Sequence, residues 1–366
     1  LCPTQVISRG RGPVAVLPRK PRDINSLQIK DLEGQPLSVS RYLARSYTEA
    51  FLVLHQGQIL TEQYFAGMTP KTPHRLYSVG KSLLANVVAV LADEGRLSLE
   101  AGITDYVHEL AQTAYAGATL RQLLDMQSGV KYDYDLKGAQ KSMTEQGRHY
   151  RAAGMFPKLP REDPQSGQFD FLVSLKTAAR DHGQIFFYKC SDTMALMWAC
   201  ERVTGSRYAD LLSRYVWSEL GAEHNASIVC DVQGAATPWG GMSSTLRDFA
   251  RWGQMHLEEG KLRGRRILPE SFIPDVRQHA DPGKVTKDSG LLAKFLTPGW
   301  SYRSQYFRPE GPDGPIYTAG AAGQYCYIHP ACDVVITKFS THGGIDPELG
   351  RLEIHALRQI AESVSA

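Results

Sequence analysis

The sequence predicts a split α/β domain that hosts a helical insertion. Two strands joined at residues 55–58 are predicted within Glu49–Gly67, because two apolar segments flank a polar Gly-containing turn. Near the other end, "PIYTAGAAGQYCYIHPACDVVITKFS" predicts two apolar strands that turn at His329-Pro330. The segments between these ends have helical periodicity. Strands at both ends with helices between them favour one domain interrupted by an insertion.

The predicted helices lie between these strand segments. The helix after Ser78 ends at Gly95 and has apolar residues on one face. These residues are Leu84, Val87, Val88 and Leu91. "ATLRQLLDMQSG" predicts a short helix ending at Gly129, and a longer helix is predicted from about Asp192 to Thr204, with Gly205 as its stop.

Three further segments complete the prediction. The stretch from Lys131 to Gly167 is polar and rich in Tyr, Gly and Pro, so a long ordered loop is expected, and such loops are usually functional. "GRRILPESFI" predicts the start of another helical segment. The last helix is amphipathic. Its apolar stripe consists of Leu349, Leu352, Ala356, Ile360 and Val364.

The composition argues against nucleic-acid and membrane roles. The 366 residues are 42% hydrophobic and 22% charged, with a formal net charge of +3. The basic N-terminal stretch "SRGRGPVAVLPRKPR" lacks interleaved aromatic residues and is interpreted as a surface arm. No apolar run approaches the length of a membrane span. Neither nucleic-acid binding nor a membrane span is therefore expected.

The sequence contains no motif for a metal or cofactor. The six cysteines form no C-x-x-C, and no histidine stands at zinc-ligand spacing from them. P-loop, H-E-x-x-H, G-x-S-x-G and strand–G-x-G-x-x-G–helix patterns are also missing from the sequence. No metal and no cofactor are expected. Cysteines in apolar segments favour free thiols and a cytoplasmic location, whereas a signal peptide removed before residue 1 would indicate a periplasmic or secreted protein.

Ser78 and Lys81 form an S-x-x-K motif where a strand-like segment leads into a helix. Residues i and i+3 of the first turn lie on the same side, so Lys81 can reach the Ser78 hydroxyl. The positive end of the helix dipole and burial of Lys81 are both expected to lower the pKa of the amine. These effects favour an activated nucleophile with a neutral base. The alternative is that Ser78 caps the helix and Lys81 extends to solvent.

A second S-x-x-K motif at Ser128 and Lys131 serves as a control. Ser128 lies at the predicted end of a helix, with Gly129 directly after it, so the two side chains need not share a face. A turn is the preferred interpretation of this motif.

Two later segments could complete a reactive site with Ser78. Tyr188 lies just before a predicted helix, where its phenol could steer the proton of a lysine base, and a core position beside Phe186 and Phe187 is the alternative. The small residues of Ala319–Gly323 would let a backbone N–H pair with that of Ser78 as an oxyanion hole. Tight packing of the sheet on a helix is the alternative for this segment.

Together these elements resemble the serine β-lactamase and penicillin-binding-protein superfamily. The similar branch contains class C β-lactamases, family VIII carboxylesterases and 6-aminohexanoate-dimer hydrolases. The resemblance covers the chain from about Glu49 to the last helix. It rests on the stretches "YSVGKSLLANVVAVLADEGRLSLEAGITDYVHEL", "ATLRQLLDMQSGVKYDYD", "WGGMSSTLRDFARWGQMHLEEGKLRGRRILPESF" and "AGAAGQYCYIHPACDVVITKFS".

The resemblance implies a β-lactamase-like α/β (α+β) fold. A central antiparallel sheet would be flanked by helices and would carry an inserted all-helical subdomain. The implied α/β domain consists of residues 20–77 and 225–366, and the implied helical subdomain consists of residues 78–224. The catalytic cleft would lie between them, and residues 1–19 would form an N-terminal arm.

The resemblance also implies roles for individual residues. Ser78 matches the acylated nucleophile, Lys81 its general base, and Tyr188 the residue that relays a proton to the leaving amine or alcohol. Ala321 falls at the position whose N–H joins that of Ser78 in the oxyanion hole. The implied reaction forms an acyl-enzyme on Ser78, which water then releases.

Two departures from the family pattern narrow the range of substrates that the resemblance implies. Tyr188-Lys189-Cys190 stands where β-lactamases carry Tyr-x-Asn, and Thr318-Ala319-Gly320 stands where they carry Lys-Thr/Ser-Gly. The missing lysine normally helps to bind a β-lactam carboxylate, so antibiotic hydrolysis is not expected. The amidases of nylon oligomers and some esterases also lack that lysine.

Four residues are predicted to bind substrate. Tyr134 is assigned as the cleft tyrosine of the loop after "SG", with Tyr132 as the other candidate. Ala319 and Gly320 precede the oxyanion position, and Trp239 borders the pocket, with core packing as its alternative.

The expected protein is a cofactor-free serine hydrolase of a small linear amide, most similar to a 6-aminohexanoate-dimer hydrolase. A family VIII-type carboxylesterase is the alternative among enzymes. A catalytically idle relative that binds or assembles is the alternative from another class. The expected partner is a small-molecule amide or ester, with a homodimer as a possible assembly.

Overall fold

The computed structural model describes residues 2–135, 138–290, 299–309, 314–344 and 346–366. Its strands, numbered in chain order, are β1 Thr4–Ile7, β2 Gln28–Lys30, β3 Pro36–Ser38, β4 Thr48–His55, β5 Gln58–Tyr64, β6 His74–Arg75, β7 Ala226–Val229, β8 Met242–Ser244, β9 Lys261–Leu262, β10 Arg265–Arg266, β11 Ser301–Arg303, β12 Tyr306–Arg308, β13 Ile316–Gly320, β14 Gln324–His329 and β15 Val334–Ser340.

The α-helices are numbered in the same way. They are α1 Val39–Arg45, α2 Gly80–Asp93, α3 Leu120–Leu124, α4 Glu145–Ala152, α5 Gln168–Val173, α6 Cys190–Thr204, α7 Tyr208–Leu212, α8 Leu246–Leu257, α9 Phe272–Gln278 and α10 Pro347–Ser365. A 3-10 turn, Tyr77–Val79, leads directly into α2. Within the described ranges, no helix has the length and apolar character needed to cross a bilayer.

The main sheet is antiparallel and joins strands from both ends of the chain. Its order within the described residues is β11-β12-β13-β14-β15-β4-β5. The hairpin predicted at residues 55–58 is confirmed as the link between β4 and β5. The turn predicted at His329-Pro330 is confirmed as the link between β14 and β15, but the prediction of two strands is wrong, because the C-terminal stretch forms β13, β14 and β15. An additional turn occurs after Gly320, where Ala322 and Gly323 adopt φ angles of 64° and 93°.

Two hydrophobic cores cover the two faces of this sheet. Along β4, Leu52 and Leu54 belong to the core that contains α2 and α8, whereas Phe51 and Val53 belong to the core that contains α10. Successive side chains of a strand point to opposite faces, and all four are fully buried because both faces are covered. The fold class predicted from the sequence is thereby confirmed.

The helical segments depart from the predictions at their ends. The helix over "ATLRQLLDMQSG" ends at Leu124, not Gly129, and α6 begins at Cys190. Lys131–Gly167 is not a continuous loop, because Thr144 caps the first turn of α4 by accepting from Gly147 N. Leu136 and Lys137 of that stretch lie outside the described residues. The stripe of the last helix is confirmed, since its members within α10 are buried apart from the partly buried Leu349.

The N-terminal residues are more ordered than a surface arm requires. Strand β1 pairs antiparallel with β7 in a second sheet, whose order is β1-β7-β8-β6. Farther along, Arg19 bridges Ile59 at the outer strand of the main sheet. This pairing satisfies part of the exposed backbone of β5, which is a common way to protect a sheet edge.

Candidate active site

A cleft with a cavity volume of about 140 Å³ lies where the turn before α2 meets the end of β13. Its lining includes Ser78, Tyr134 and Tyr188 together with Ala319, Gly320 and Ala321. Six residues that the sequence singled out for function therefore meet at one place, although they come from four separate segments of the chain.

Ser78 is held at the start of α2 by a constrained backbone. It lies in the 3-10 turn, and the preceding Tyr77 has a φ of 50°, in the left-handed region that non-glycine residues rarely adopt. The side chain is half-buried and lines the cleft. A strained residue beside a cleft-lining hydroxyl is typical of functional sites.

Lys81 is buried and contacts Ser78 directly. Its Nζ donates to Ser78 Oγ at 3.1 Å and to the carbonyl oxygen of Trp239 at 2.9 Å. The side chain is 1% exposed, so the interpretation in which it extends to solvent is wrong. Gly80 permits this arrangement, because a Cβ there would lie 2.2 Å from the carbonyl oxygen of Pro238. The close approach brings the Trp239 carbonyl beside the lysine.

The expected lowering of the pKa of Lys81 is wrong. Burial lowers the pKa of the amine, but the charge interactions and hydrogen bonds of Lys81 with Cys190 and Tyr188 raise it by more, so the pKa lies above its ordinary value of 10.5. The local sequence could not reveal this, because both neighbours follow more than a hundred residues later. At neutral pH Lys81 is therefore predominantly an ammonium that donates to Ser78 and Trp239.

Tyr188 lies against the same lysine. Lys81 Nζ is 4.8 Å from the centroid of the Tyr188 ring. Burial raises the pKa of the phenol above 10.0, although the charge of Lys81 and hydrogen bonding with Ser78 and Lys81 both act to lower it. The phenol thus stays protonated at neutral pH. It lies between the serine, the lysine and the open cleft, as a proton relay requires.

Backbone contacts fix the segment that carries Tyr188. Its carbonyl oxygen accepts from Tyr134 Oη at 2.8 Å, and the preceding Phe187 N donates to Met126 O at 2.8 Å. Tyr134 therefore lines the cleft as predicted, with its hydroxyl bound to the backbone of Tyr188. Tyr132, the other candidate, is buried and contacts His149 at 3.2 Å instead.

The end of β13 lies close to the serine turn. A Cβ at Gly320 would be 2.2 Å from the carbonyl oxygen of Leu76, so only glycine allows this approach. Ala321 follows at the turn into β14 and lines the cleft with Ala319 and Gly320. Ala321 and Ser78 therefore line the same cleft, and the oxyanion hole that they would form stays a prediction.

Trp239 contributes its carbonyl oxygen to the site, but its ring does not form part of the described surface of the cleft. The indole is 2% exposed, stacks on Tyr150 at 5.0 Å and donates from Nε1 to Gln168 Oε1 at 2.8 Å. It does not contribute to the described lining of the cleft. The core alternative applies to its ring, while its carbonyl oxygen holds Lys81.

The sequence reasoning missed two cleft residues beside Lys81. Cys190 lines the cleft, and burial raises the pKa of its thiol despite the opposing charge of Lys81. Tyr150 lies on α4, within the stretch that the sequence predicted as a loop, and also lines the cleft. The position of Cys190, two residues after Tyr188, could have indicated the thiol. Only the folded structure places Tyr150.

Ser128 does not pair with Lys131. Its Oγ donates to Asp192 Oδ1 at 2.6 Å and accepts from Lys189 Nζ at 3.0 Å. Ser128 is 1% exposed, and its cluster lies outside the described lining of the cleft. Lys131 pairs instead with Asp133 at 3.0 Å. The described residues also contain no group of three or more His, Cys, Asp or Glu side chains arranged to hold a metal ion.

Comparison with known proteins identifies the family. A family model described as "Beta-lactamase" matches residues 43–359. This chain belongs to the β-lactamase family. The 6-aminohexanoate-dimer hydrolase of Paenarthrobacter ureafaciens is 35% identical over 342 residues, which cover 93% of this chain and 83% of that protein. Membership of the β-lactamase family identifies the chain as a serine hydrolase, as the sequence predicted.

Solved structures of relatives share the fold. A candidate 6-aminohexanoate-dimer hydrolase from Bacillus anthracis superimposes with a TM-score of 0.89 and 27% identity, covering 99% of this chain and 91% of that one. A family VIII carboxylesterase superimposes with a TM-score of 0.60 and 17% identity, covering 84% and 91% of the two chains. The β-lactamase family fold therefore extends over nearly the whole chain.

Proposed function

We propose that this protein hydrolyses a small linear amide through an acyl-enzyme on Ser78. The contact of Lys81 Nζ with Ser78 Oγ at 3.1 Å, inside a cleft that also contains Tyr188 and Ala321, carries this proposal. Lys81, Tyr188 and the Ala321 backbone supply a base, a proton relay and an oxyanion donor respectively. These are the groups that acyl transfer to a serine needs.

In the first step, Ser78 Oγ attacks the substrate carbonyl carbon. The hydroxyl proton passes to the neutral amine of Lys81, which is the minor form because the pKa of Lys81 is raised. The backbone N–H groups of Ser78 and Ala321 stabilise the oxyanion. The C–N bond then breaks, and the leaving nitrogen takes a proton from Tyr188, which recovers one from Lys81.

In the second step, water attacks the acyl-enzyme. Its proton passes to the Lys81–Tyr188 pair, the carbonyl oxygen again occupies the oxyanion hole, and Ser78 leaves with a proton returned from that pair. The reaction consumes only the substrate and one water molecule, so the atoms and charges balance.

The amide preference rests on the similarity to 6-aminohexanoate-dimer hydrolase. The chain has Thr318-Ala319-Gly320 where a β-lactam carboxylate would need a lysine. The cleft lining is mostly aromatic and small side chains, which suits a flexible methylene chain better than a rigid bicyclic carboxylate. We therefore place a linear amide first and β-lactam hydrolysis last.

A carboxylesterase activity uses the same groups, and the two functions differ in leaving group. We expect a higher kcat/KM for 6-aminohexanoate dimer than for short-chain p-nitrophenyl esters, after correction for the intrinsic reactivity of each. A preference for the esters would favour the carboxylesterase. Turnover of neither substrate by the wild type would favour the catalytically idle relative, with Ser78→Ala as the background control.

Two broader assignments accompany this proposal. We propose that the cleft separates an α/β unit of residues 20–77 and 225–366 from a helical unit of residues 78–224, which agrees with the segments that line it. We also propose a reducing, cytoplasmic location, since the six cysteines are free and four of them are buried.

A further inference from the structure

An aromatic wall extends along the cleft from the proposed proton relay. We define this wall as Tyr188, Phe307, Tyr317 and Tyr325, all of which line the cleft. The ring centroids of Tyr188 and Phe307 are 6.4 Å apart, those of Phe307 and Tyr317 are 5.2 Å apart, and those of Tyr317 and Tyr325 are 6.4 Å apart. The wall is therefore a continuous apolar surface that begins at Tyr188.

The position of Tyr188 indicates which part of the substrate lies on this wall. Under the proposed function, Tyr188 protonates the leaving nitrogen, so the leaving group must emerge beside its phenol. The surface that continues from Tyr188 is then the surface that the leaving group meets. This step rests on the proposed function.

His342 lines the same cleft and has two unused hydrogen-bonding atoms. The side chain is 8% exposed, and neither Nδ1 nor Nε2 has a hydrogen-bond partner among the residues that the structure describes. Buried polar atoms are almost always paired with protein, water or a ligand, so the two ring nitrogens are available to a group that enters the cleft. In an apolar site such atoms cost free energy until a ligand group pairs with them.

The backbone accommodates the His342 ring beside the oxyanion turn. A Cβ at Gly323 would lie 2.8 Å from the Cδ2 and Nε2 atoms of His342, and Gly323 has a φ of 93°. Glycine at this position thus leaves room for the imidazole. The ring lies next to the turn that contains Ala321. Gly323, which the ring contacts, is two residues before Tyr325 of the aromatic wall.

The charges around His342 select an uncharged partner. Burial and the charge of Lys338 lower the pKa of His342, with Asp346 opposing them, so the imidazole is neutral and offers one donor and one acceptor. The side chain of Asp346 also lines the cleft, and Lys338 and Asp346 act on the imidazole with opposite charges, so the surroundings strongly favour neither an anion nor a cation as its partner. Asp346 Oδ1 accepts from Glu348 N and Leu349 N.

We propose that His342 binds an uncharged hydrogen-bonding group, such as an amide, at the far end of the leaving group. The preferred leaving amines then have a methylene chain that lies on the aromatic wall and a terminal amide that pairs with the imidazole. A linear oligoamide longer than a dimer has this pattern, because its leaving group contains a second amide.

The test compares four substrates that share one acyl group and differ in the leaving group. The 6-aminohexanoyl amides of 6-aminohexanamide, heptylamine and 6-aminohexanoate differ only at the far end, and the 6-aminohexanoyl methyl ester ends at the scissile bond. In the wild type we expect kcat/KM for the carboxamide to exceed that for the alkyl amide about five- to tenfold, the size of one net hydrogen bond. The carboxylate should be turned over more slowly than the carboxamide.

Two variants identify His342 as the source of this preference. His342→Phe should remove the difference between carboxamide and alkyl amide, whereas His342→Gln, which keeps a donor and an acceptor, should retain most of it. Turnover of the methyl ester in each of the three proteins is the reference by which its amide rates are divided, so that a general effect of the substitution on the nearby turn cancels and only the preference for the carboxamide is compared.

The outcomes separate this proposal from the one on which it rests. If the wild type turns over the methyl ester but His342→Phe keeps the carboxamide preference, or if the carboxylate is the best substrate, the role of His342 is wrong and the proposed hydrolase stands. If the wild type turns over none of the four substrates, the proposed function and this inference are both overturned.

Discussion

Two of the Ser–Lys contacts in the described residues, Ser78–Lys81 and Ser128–Lys189, have different surroundings. Lys81 Nζ lies 3.1 Å from Ser78 Oγ, and Lys189 Nζ lies 3.0 Å from Ser128 Oγ. Ser78 is half-buried and lines the cleft, whereas Ser128 is 1% exposed and donates to Asp192. Both pairs have the geometry for proton transfer. Access to the cleft distinguishes the first pair.

A lowered lysine pKa would be expected in the pair that faces the cleft, but the two pairs show the reverse. The pKa of Lys189 is lowered to about 8 by burial, against the raising effect of Asp192, whereas the pKa of Lys81 is raised. The lysine with the lowered pKa is therefore in the pair closed to substrate. A perturbed pKa indicates a functional site only when the group also faces a cleft.

The largest expected difference between the pairs is in turnover. Ser78→Ala should lower kcat by about 10³- to 10⁶-fold, as removal of a nucleophile does in other serine hydrolases. Ser128→Ala should leave kcat within a few-fold of the wild type, because its hydroxyl does not reach the cleft. The kcat of both variants is measured by steady-state kinetics, with an amide or ester substrate that the wild type turns over. Equal losses in the two variants would contradict the comparison.

A second difference is in the pH dependence of acylation. Lys81→Ala should slow acylation by about 10²- to 10⁴-fold, the usual contribution of a general base. The attacking form needs a neutral amine, and the pKa of Lys81 lies above 10.5, so the wild-type acylation rate should rise with pH up to about 10 without a plateau.

Stopped-flow measurement of acylation from pH 6 to 10 checks this expectation, with Lys131→Ala as the matched control. In Lys81→Ala the rise should disappear, and in the control it should remain. A plateau near pH 7 in the wild type would show that Lys81 is neutral at rest and that the direction of its pKa shift is wrong.

The smallest expected effect concerns stability at the closed pair. The pKa of Lys189 falls from 10.5 to about 8 on folding. Between these values the unfolded chain binds more protons than the folded one, so the free energy of unfolding should rise with pH and level off above the window. The contribution is at most about 3.5 kcal/mol, at about 1.4 kcal/mol per pKa unit.

Urea unfolding at pH 7.5, 9 and 10.5 measures this contribution. The part of the rise that is due to Lys189 should be missing in Lys189→Met and should remain in Lys176→Met, whose amine is exposed. Identical slopes in the wild type and Lys189→Met would show that Lys189 does not titrate in this window.

The sequence predicted the parts of the site that local chemistry defines. Ser78 and Lys81 share the first turn around the start of α2, and spacing alone places them together. Tyr188 and Ala321 came from the family resemblance together with the turn-forming and small residues around them. The hairpin of β4 and β5 and the stripe of α10 followed from periodicity.

The features that the sequence did not predict depend on distant contacts. The raised pKa of Lys81 results from Cys190 and Tyr188, and the role of the Trp239 carbonyl results from the close approach at Gly80. The turn between β13 and β14 lies in a run of small residues that resembles a continuous strand. The Ser128–Lys189 pair joins residues 61 positions apart, which no short motif indicates.

Active-site labelling tests the central distinction most directly. The protein is treated with a serine-directed fluorophosphonate, and the adduct is located by peptide mapping in the wild type, Ser78→Ala and Ser128→Ala. We expect one adduct, on Ser78, in the wild type and in Ser128→Ala, and none in Ser78→Ala. An adduct on Ser128, or an unlabelled wild type, would contradict the assignment of Ser78 as the nucleophile.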